Sequence, residues 1–307
     1  MNRTKGRYAL AIMLGLGVLS FVVYSLFFSW GFAVLLIGSL VFHEYGHIWA
    51  MQRCGMKVSG IYLIPFVGGA AVPKSKPPSQ AATVFIYLAG PAFGLALAAV
   101  TACAYLFMGW TVLAGAACWM AILNLFNLIP VFPLDGGGVL RAIAYSVHQI
   151  AGGFLQGISV LFALLLVFSG MHWLFWIIAF FAWRECLDYI GARPKRQRLL
   201  TFLSAQKYSL AALCYPREGR LHLSLLLQEL RGGDLLHADL NVPSHSDLLS
   251  AITAVEETLR EPQPLRGGGI CCAIAGYAFV VGALLALGGT MATVPEALAS
   301  IVAITGQ

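Results

Sequence analysis

Between residue 1 and residue 183 the chain carries two carboxylates, Glu44 and Asp135, and the first lies inside an apolar run. The run opens GFAVLLIGSLVF at Gly31 and continues HEYGHIWA, which puts His43, Glu44, Tyr45 and His47 near the end of a hydrophobic segment. A carboxylate near the middle of a membrane helix costs on the order of 3 kcal/mol on insertion scales. A side chain placed there at such a cost needs a role. It also restricts the chain to folds in which apolar helices enclose a polar site.

Apolar residues make up 59% of the 307 and charged residues 10%, and mean hydropathy is +0.81. A soluble domain has about a quarter charged residues, so the chain reads as an all-α polytopic membrane protein. Runs of spanning length fall near 8–28, 31–53, 82–107, 111–129, 153–169, 172–188 and 270–288. The first six make a transmembrane core of about six helices, and the last is one further C-terminal transmembrane helix. No cleavage-site pattern follows the first run, which is therefore read as retained. Residues 57–73, KVSGIYLIPFVGGAAVP, are too short and too interrupted by Pro65, Gly68 and Gly69 to span. Their alternation predicts a re-entrant β-hairpin, tolerated at that depth only where protein or a watery cavity satisfies its backbone. Residues 137–150, after a DGG turn, read as a partly buried surface helix.

Ten of the nineteen Lys and Arg and eight of the thirteen acids lie between 191 and 268. That stretch is polar, is punctuated by Gly and Pro, and holds two helical patterns. It predicts a small cytosolic helical unit. Three regions result: a membrane core over 1–190, the unit over 191–268, and a transmembrane helix and tail over 269–307. The connections near 29–30, 109–110 and 170–172 carry no Lys or Arg. The opposite side carries Arg3, Lys5, Arg7, Arg53, Lys57, Lys74, Lys76, Arg141 and the cluster Arg193, Lys195, Arg196 and Arg198. The positive-inside rule then puts the N-terminus and 191–268 in the cytosol. A net charge of +6 is what such loops carry, and no nucleic-acid partner is expected. Seven scattered cysteines without a CxxC argue against a disulfide framework or a thiolate metal site. Short loops and the lack of an organellar signal favour a prokaryotic cytoplasmic membrane.

On an α-helix, residues four apart share a face, so His43 and His47 can offer two imidazoles to one metal ion. Glu44 projects beside them, close enough to take a proton from an attacking water. A catalytic zinc site needs a third protein ligand. Asp135 is the only other acid before residue 185. It lies in NLIPVFPLDGG, residues 127–137, where Pro130 and Pro133 end a helix and Gly136 and Gly137 let the backbone turn. An Asp in DGG is ordinarily a turn residue, but the scarcity of acids here favours it as the ligand, with His148 and His172 as rivals. His43 precedes Arg53 by ten residues, or about 15 Å of helix. The metal would then sit within the membrane, nearer the cytosol.

HEYGH in the second span, followed about eighty residues later by NLIPVFPLDGG, resembles the site-2 protease family of intramembrane zinc metalloproteases. The AGP of residues 89–91 and the GG of 68–69 are also similar to that family's pattern. The resemblance covers roughly 31–150. Gly138 departs from it, since members often carry a basic residue after DGG. No PDZ-like insert separates the two motifs, which excludes the PDZ-bearing branch.

The resemblance implies that 1–190 is an intramembrane metalloprotease core and that His43, His47 and Asp135 bind one Zn2+ per chain. Glu44 would be the base and then the acid. Asn127 would donate a hydrogen bond to the substrate backbone or oxyanion, with Asn124 as the alternative. The hairpin at Gly68 and Gly69 would pair with the substrate as an added strand. The implied function is regulated intramembrane proteolysis of a single-span, membrane-anchored protein, with the bilayer and a regulatory membrane protein as further partners. The 191–268 unit is expected to control substrate entry. A zinc protease with a downstream Glu ligand is disfavoured, because Glu185 onward offers no matching helical motif. From a different class comes a membrane zinc transporter or sensor that uses the same ligands without hydrolysis. Transporters need polar groups along a path, and spans three, five and seven offer almost none.

Overall fold

In a computed structural model of the chain, the described residues are 3–65, 68–73, 75–168, 262–295 and the single positions 176, 179, 180, 183, 184, 187 and 297. Helix α1 spans Arg3–Phe27 and α2 Trp30–Arg53. A hairpin of β1, Val58–Ile64, and β2, Gly68–Pro73, follows. Then come α3 (Gln80–Met108), α4 (Thr111–Asn127), α5 (Asp135–Val147), α6 (Gln149–Phe168) and α7 (Gly267–Ala292).

Local chemistry explains the boundaries. Ser29 and Ser79 cap α2 and α3, their hydroxyls accepting from the backbone N–H of Phe32 and Ala82. Gly109 ends α3 in the left-handed conformation, φ +70°, which a residue without Cβ adopts at no steric cost. Pro130 and Pro133 keep α4 from continuing, and Asp135 opens α5 two residues after the second proline. Asp135 thus sits in a helical first turn, not in the DGG turn read from sequence, because Gly136 to Gly138 continue as helix.

Helices α2, α3 and α7 are long and apolar enough to cross a membrane. Shorter apolar helices cover 11–27, 111–127 and 151–162. Large apolar side chains point outward, with Phe107 90% and Leu26 79% exposed. Water would not tolerate so many such side chains in contiguous patches, and lipid accommodates them. The chain is a multi-pass membrane protein, mostly helical with one small antiparallel hairpin. The predicted span 172–188 and the unit 191–268 lie almost wholly outside the described residues.

Met1–Trp183 and Gln263–Gln307 form one compact unit, and Arg184–Pro262 a second. Within the first, α2 packs on α3, α3 on α4 and α5, and α7 on α3, α4 and α5. The approach to α7 is anchored: Gln80 N donates to the Gln263 carbonyl (2.9 Å), and Leu265 N to Ser146 Oγ (2.9 Å). In the hairpin Ile61 faces Ala71 and Leu63 faces Gly69, with an irregularity between Val58 and Ile61. Ser20 Oγ on α1 donates to the Leu63 carbonyl (3.3 Å), and α1 packs along β1.

Candidate metal centre

HExxH occupies the second half of α2. His43 and His47 turn their Nε2 atoms to a common point, 3.0 Å apart. Each ring is held from behind. Asn124 on α4 donates Nδ2 to the Met120 carbonyl (2.7 Å), which leaves its Oδ1 to accept from His43 Nδ1 at 2.8 Å. His47 Nδ1 lies 2.8 Å from the Ile86 carbonyl of α3, a group that can only accept. Both rings therefore carry a proton on Nδ1, which leaves Nε2 as the atom that can offer a lone pair inward.

Asp135 enters from the first turn of α5. Its Oδ2 is 3.0 Å from His43 Nε2 and its Oδ1 3.4 Å from His47 Nε2. Oδ2 is buried and has no hydrogen-bond partner. In the neutral rings, two Nε2 lone pairs and an orphaned carboxylate oxygen repel one another unless a cation lies between them. Donors held about 2.0–2.1 Å from one tetrahedral zinc stand about 3.3 Å from each other. The observed separations are close to that. Two neutral imidazoles and a carboxylate, all buried, fit a single zinc ion.

Room for the pair comes from α3. A Cβ on Gly90 would stand 2.3 Å from His47 Nε2 and 2.8 Å from His43 Nε2. One on Gly94 would stand 2.0 Å from Asn124 Oδ1. The AGP of residues 89–91 is therefore the surface on which the ligands lie.

Glu44 is buried beside them, and donor atoms of His43, Glu44 and His47 lie within 4.8 Å of one another. Its Oε2 accepts from the Ala71 N–H of β2 at 2.9 Å. A Cβ on Gly69 would stand 2.4 Å from Glu44 Cγ, so only a glycine lets the strand come this near. With Glu44 engaged by the hairpin and both Asp135 oxygens facing the imidazoles, Asp135 is the better third donor. Gly68 opens β2 at φ +109°.

The structure brings His43, Glu44, His47, Asp135 and Gly69 together. Asn127 ends α4 half-buried, and the asparagine on the histidine is Asn124, both ends of whose amide are engaged. His148 closes α5, exposed, at the far end from Asp135. His172 lies outside the described residues. Cys54 closes α2, and burial pushes its thiol pKa up, the wrong direction for a thiolate ligand. Sequence reasoning missed Asn124 as the brace of His43 and Gly90 as its floor. Only the AGP motif hinted at the second.

Residues 31–118 match the model of Peptidase family M50. A zinc metalloprotease of Methanocaldococcus jannaschii is 33% identical over 139 residues, 44% of this chain and 39% of that protein. Rip3 of Mycobacterium tuberculosis, assigned by name to the zinc metalloproteases, is 35% identical over 135 residues, 41% of this chain and 34% of Rip3. A Synechocystis protein named for the same class is 38% identical over 143 residues, 42% of this chain and 34% of its own length. The chain thus spans between 34% and 39% of the length of these curated relatives. HEYGH and its supporting glycines thus lie inside the stretch of this membrane protein that is similar to Peptidase family M50.

Proposed function

We propose that the chain is a zinc-dependent endopeptidase that cuts a single-span membrane protein within the bilayer, as in regulated intramembrane proteolysis. His43, His47 and Asp135 hold one zinc ion. The observation that carries this reading is the convergence of two Nε2 atoms and an unpartnered carboxylate oxygen at one buried point. When bound, zinc supplies Lewis acidity that polarises the scissile carbonyl and brings the pKa of water to about 7.

Glu44 is the general base. It takes a proton as the water oxygen bonds to the carbonyl carbon, and it returns that proton to the leaving nitrogen when the C–N bond breaks. The Ala71 N–H holds its carboxylate in place. A substrate helix must unwind first, because its carbonyls are hydrogen-bonded and covered. Among the described residues β2 pairs with a strand on one side only, and its other edge, which faces Glu44 at Ala71 and carries Gly68 and Gly69, can hold an extended peptide by main-chain hydrogen bonds. Asn127 donates to the substrate backbone or oxyanion. Its half-buried place supports this, since Asn124 is already committed to His43 and Met120.

The core crosses the membrane about six times, with the N-terminus and 191–268 in the cytosol of a prokaryotic cell. The placement of Lys and Arg supports that orientation, and the three relatives named above support the setting. The 191–268 unit governs access of the substrate, alone or with a regulatory membrane protein.

The test is to incubate the purified chain and zinc with a panel of single-span peptides and to locate the cut bond by mass spectrometry. Glu44→Gln keeps an oxygen for the Ala71 N–H but cannot take a proton. It should retain zinc and lose about 10²–10⁴-fold in cleavage rate. Full activity in that variant would remove Glu44 from its role. Zinc flux across vesicles without peptide cleavage would favour a transporter built on the same ligands.

A further inference from the structure

Helix α7 follows the polar stretch 191–268, far in sequence from the HEYGH helix, yet it reaches the joint that sets the third ligand. The Tyr277 hydroxyl on α7 donates to the Leu128 carbonyl. Leu128 is the C-cap of α4, and carbonyls at a helix C-terminus have no intrahelical partner. The same carbonyl also faces the first turn of α5, since a Cβ on Gly136 would stand 2.1 Å from Leu128 O. Gly136 is the neighbour of Asp135. One oxygen is thus the contact point of three helices: the end of α4, the start of α5 and the middle of α7.

Packing surrounds this point on both sides. Leu128, Ala121, Val280 and Leu284 form one buried cluster between α4 and α7. Val139, Ala142, Leu265 and Ala273 form another between α5 and the approach to α7. Apolar packing of this kind is non-directional and leaves the rotation of the joint open. The hydroxyl supplies a direction. It fixes the Leu128 peptide, from which seven residues lead to Asp135 and four lead back to Asn124, the acceptor for His43.

We propose that Tyr277 is a positioning residue of the metal centre, its hydroxyl setting the α4–α5 joint so that Asp135 meets His43 and His47. The proposal rests on the reading of Asp135 as a zinc ligand. It makes α7 part of the catalytic unit, not an anchor for the polar stretch before it.

The test uses the full chain, purified in detergent and loaded with zinc, in wild-type form and as Tyr277→Phe, Val280→Ala and Asp135→Ala. Zinc release to a chromophoric chelator and the thermal midpoint are measured for each. Tyr277→Phe removes one oxygen and keeps the ring. It should speed zinc release by about 10- to 100-fold, the range for groups that orient ligands, with little change in midpoint. Val280→Ala loosens the same α4–α7 packing without touching the hydroxyl, and should lower the midpoint while leaving zinc release near wild type. The proposal is overturned if Tyr277→Phe releases zinc at the wild-type rate, or if both α7 variants release it equally fast. If Asp135→Ala holds zinc as well as wild type, the ligand reading itself fails, and this proposal with it.

Discussion

Gly90 is where α3 comes nearest to the ligand pair, and Gly90→Ala tests how tightly the cage is packed. The added carbon would lie 2.3 Å from His47 Nε2, 2.5 Å from His47 Cε1 and 2.8 Å from His43 Nε2. Ordinary contact begins at 3.4 Å, so the nearest ring atom must retreat by about 1.1 Å (3.4 − 2.3). His47 cannot simply swing aside, because its Nδ1 is bonded to the Ile86 carbonyl on the same helix as the intruding methyl. Overfilling a packed site costs about 1–3 kcal/mol. The cost falls on the metal-loaded form, in which both rings must keep their positions. It corresponds to roughly 5- to 150-fold weaker zinc binding. The assay is competition for zinc between the detergent-purified chain and a chelator of known affinity, run beside peptide cleavage. Gly38→Ala is the matched control on α2. Nothing lies within 4 Å of its Cβ, so zinc affinity should hold, and the helix should gain up to about 1 kcal/mol. A Gly90→Ala protein that binds zinc as tightly as wild type would mean that α3 does not press on the rings as described.

Two further substitutions separate the parts of the site. Asn124→Ala removes the acceptor for His43 Nδ1 and frees the ring to change tautomer. Zinc affinity should fall by about 10- to 100-fold with helix content preserved, and unaltered affinity by chelator titration would show that His43 needs no such partner. Gly69→Val puts side-chain carbon where Glu44 Cγ now lies, so cleavage should drop by at least about tenfold while zinc stays bound, as for displacement of a general base. Loss of zinc together with cleavage would show that the strand supports the ligands and not only the base.

What could be read in advance has a common character. The helical face of His43 and His47 follows from a spacing of four, a property of neighbouring residues. The hairpin follows from alternation and from glycines at 68 and 69, again within a short window. Asp135 was singled out by another route, because where acids are this scarce burying one needs a cationic partner, and the structure places it beside His43 and His47. The polar unit 191–268 was marked by composition and lies almost wholly outside the described residues. Asn124 was named only as an alternative to Asn127 for holding substrate, and its bond to His43 was not foreseen, because nothing local distinguishes an amide that serves a substrate from one that braces a histidine. The start of α5 was misplaced because DGG looks like a turn until Asp135 is seen to lead a helix.

Taken by itself, the sequence determined that this is a membrane chain with a zinc-type HExxH on one helix and a lone acid available to complete it. Periodicity and the cost of charge in lipid are written into residues close together along the chain. The tertiary structure alone decided which partners hold the imidazoles, how near β2 comes to Glu44, and that α7 closes on the joint before Asp135. Those contacts join positions 27 to 149 residues apart. They depend on which helices meet and where small residues let them touch, and a one-dimensional pattern does not encode that.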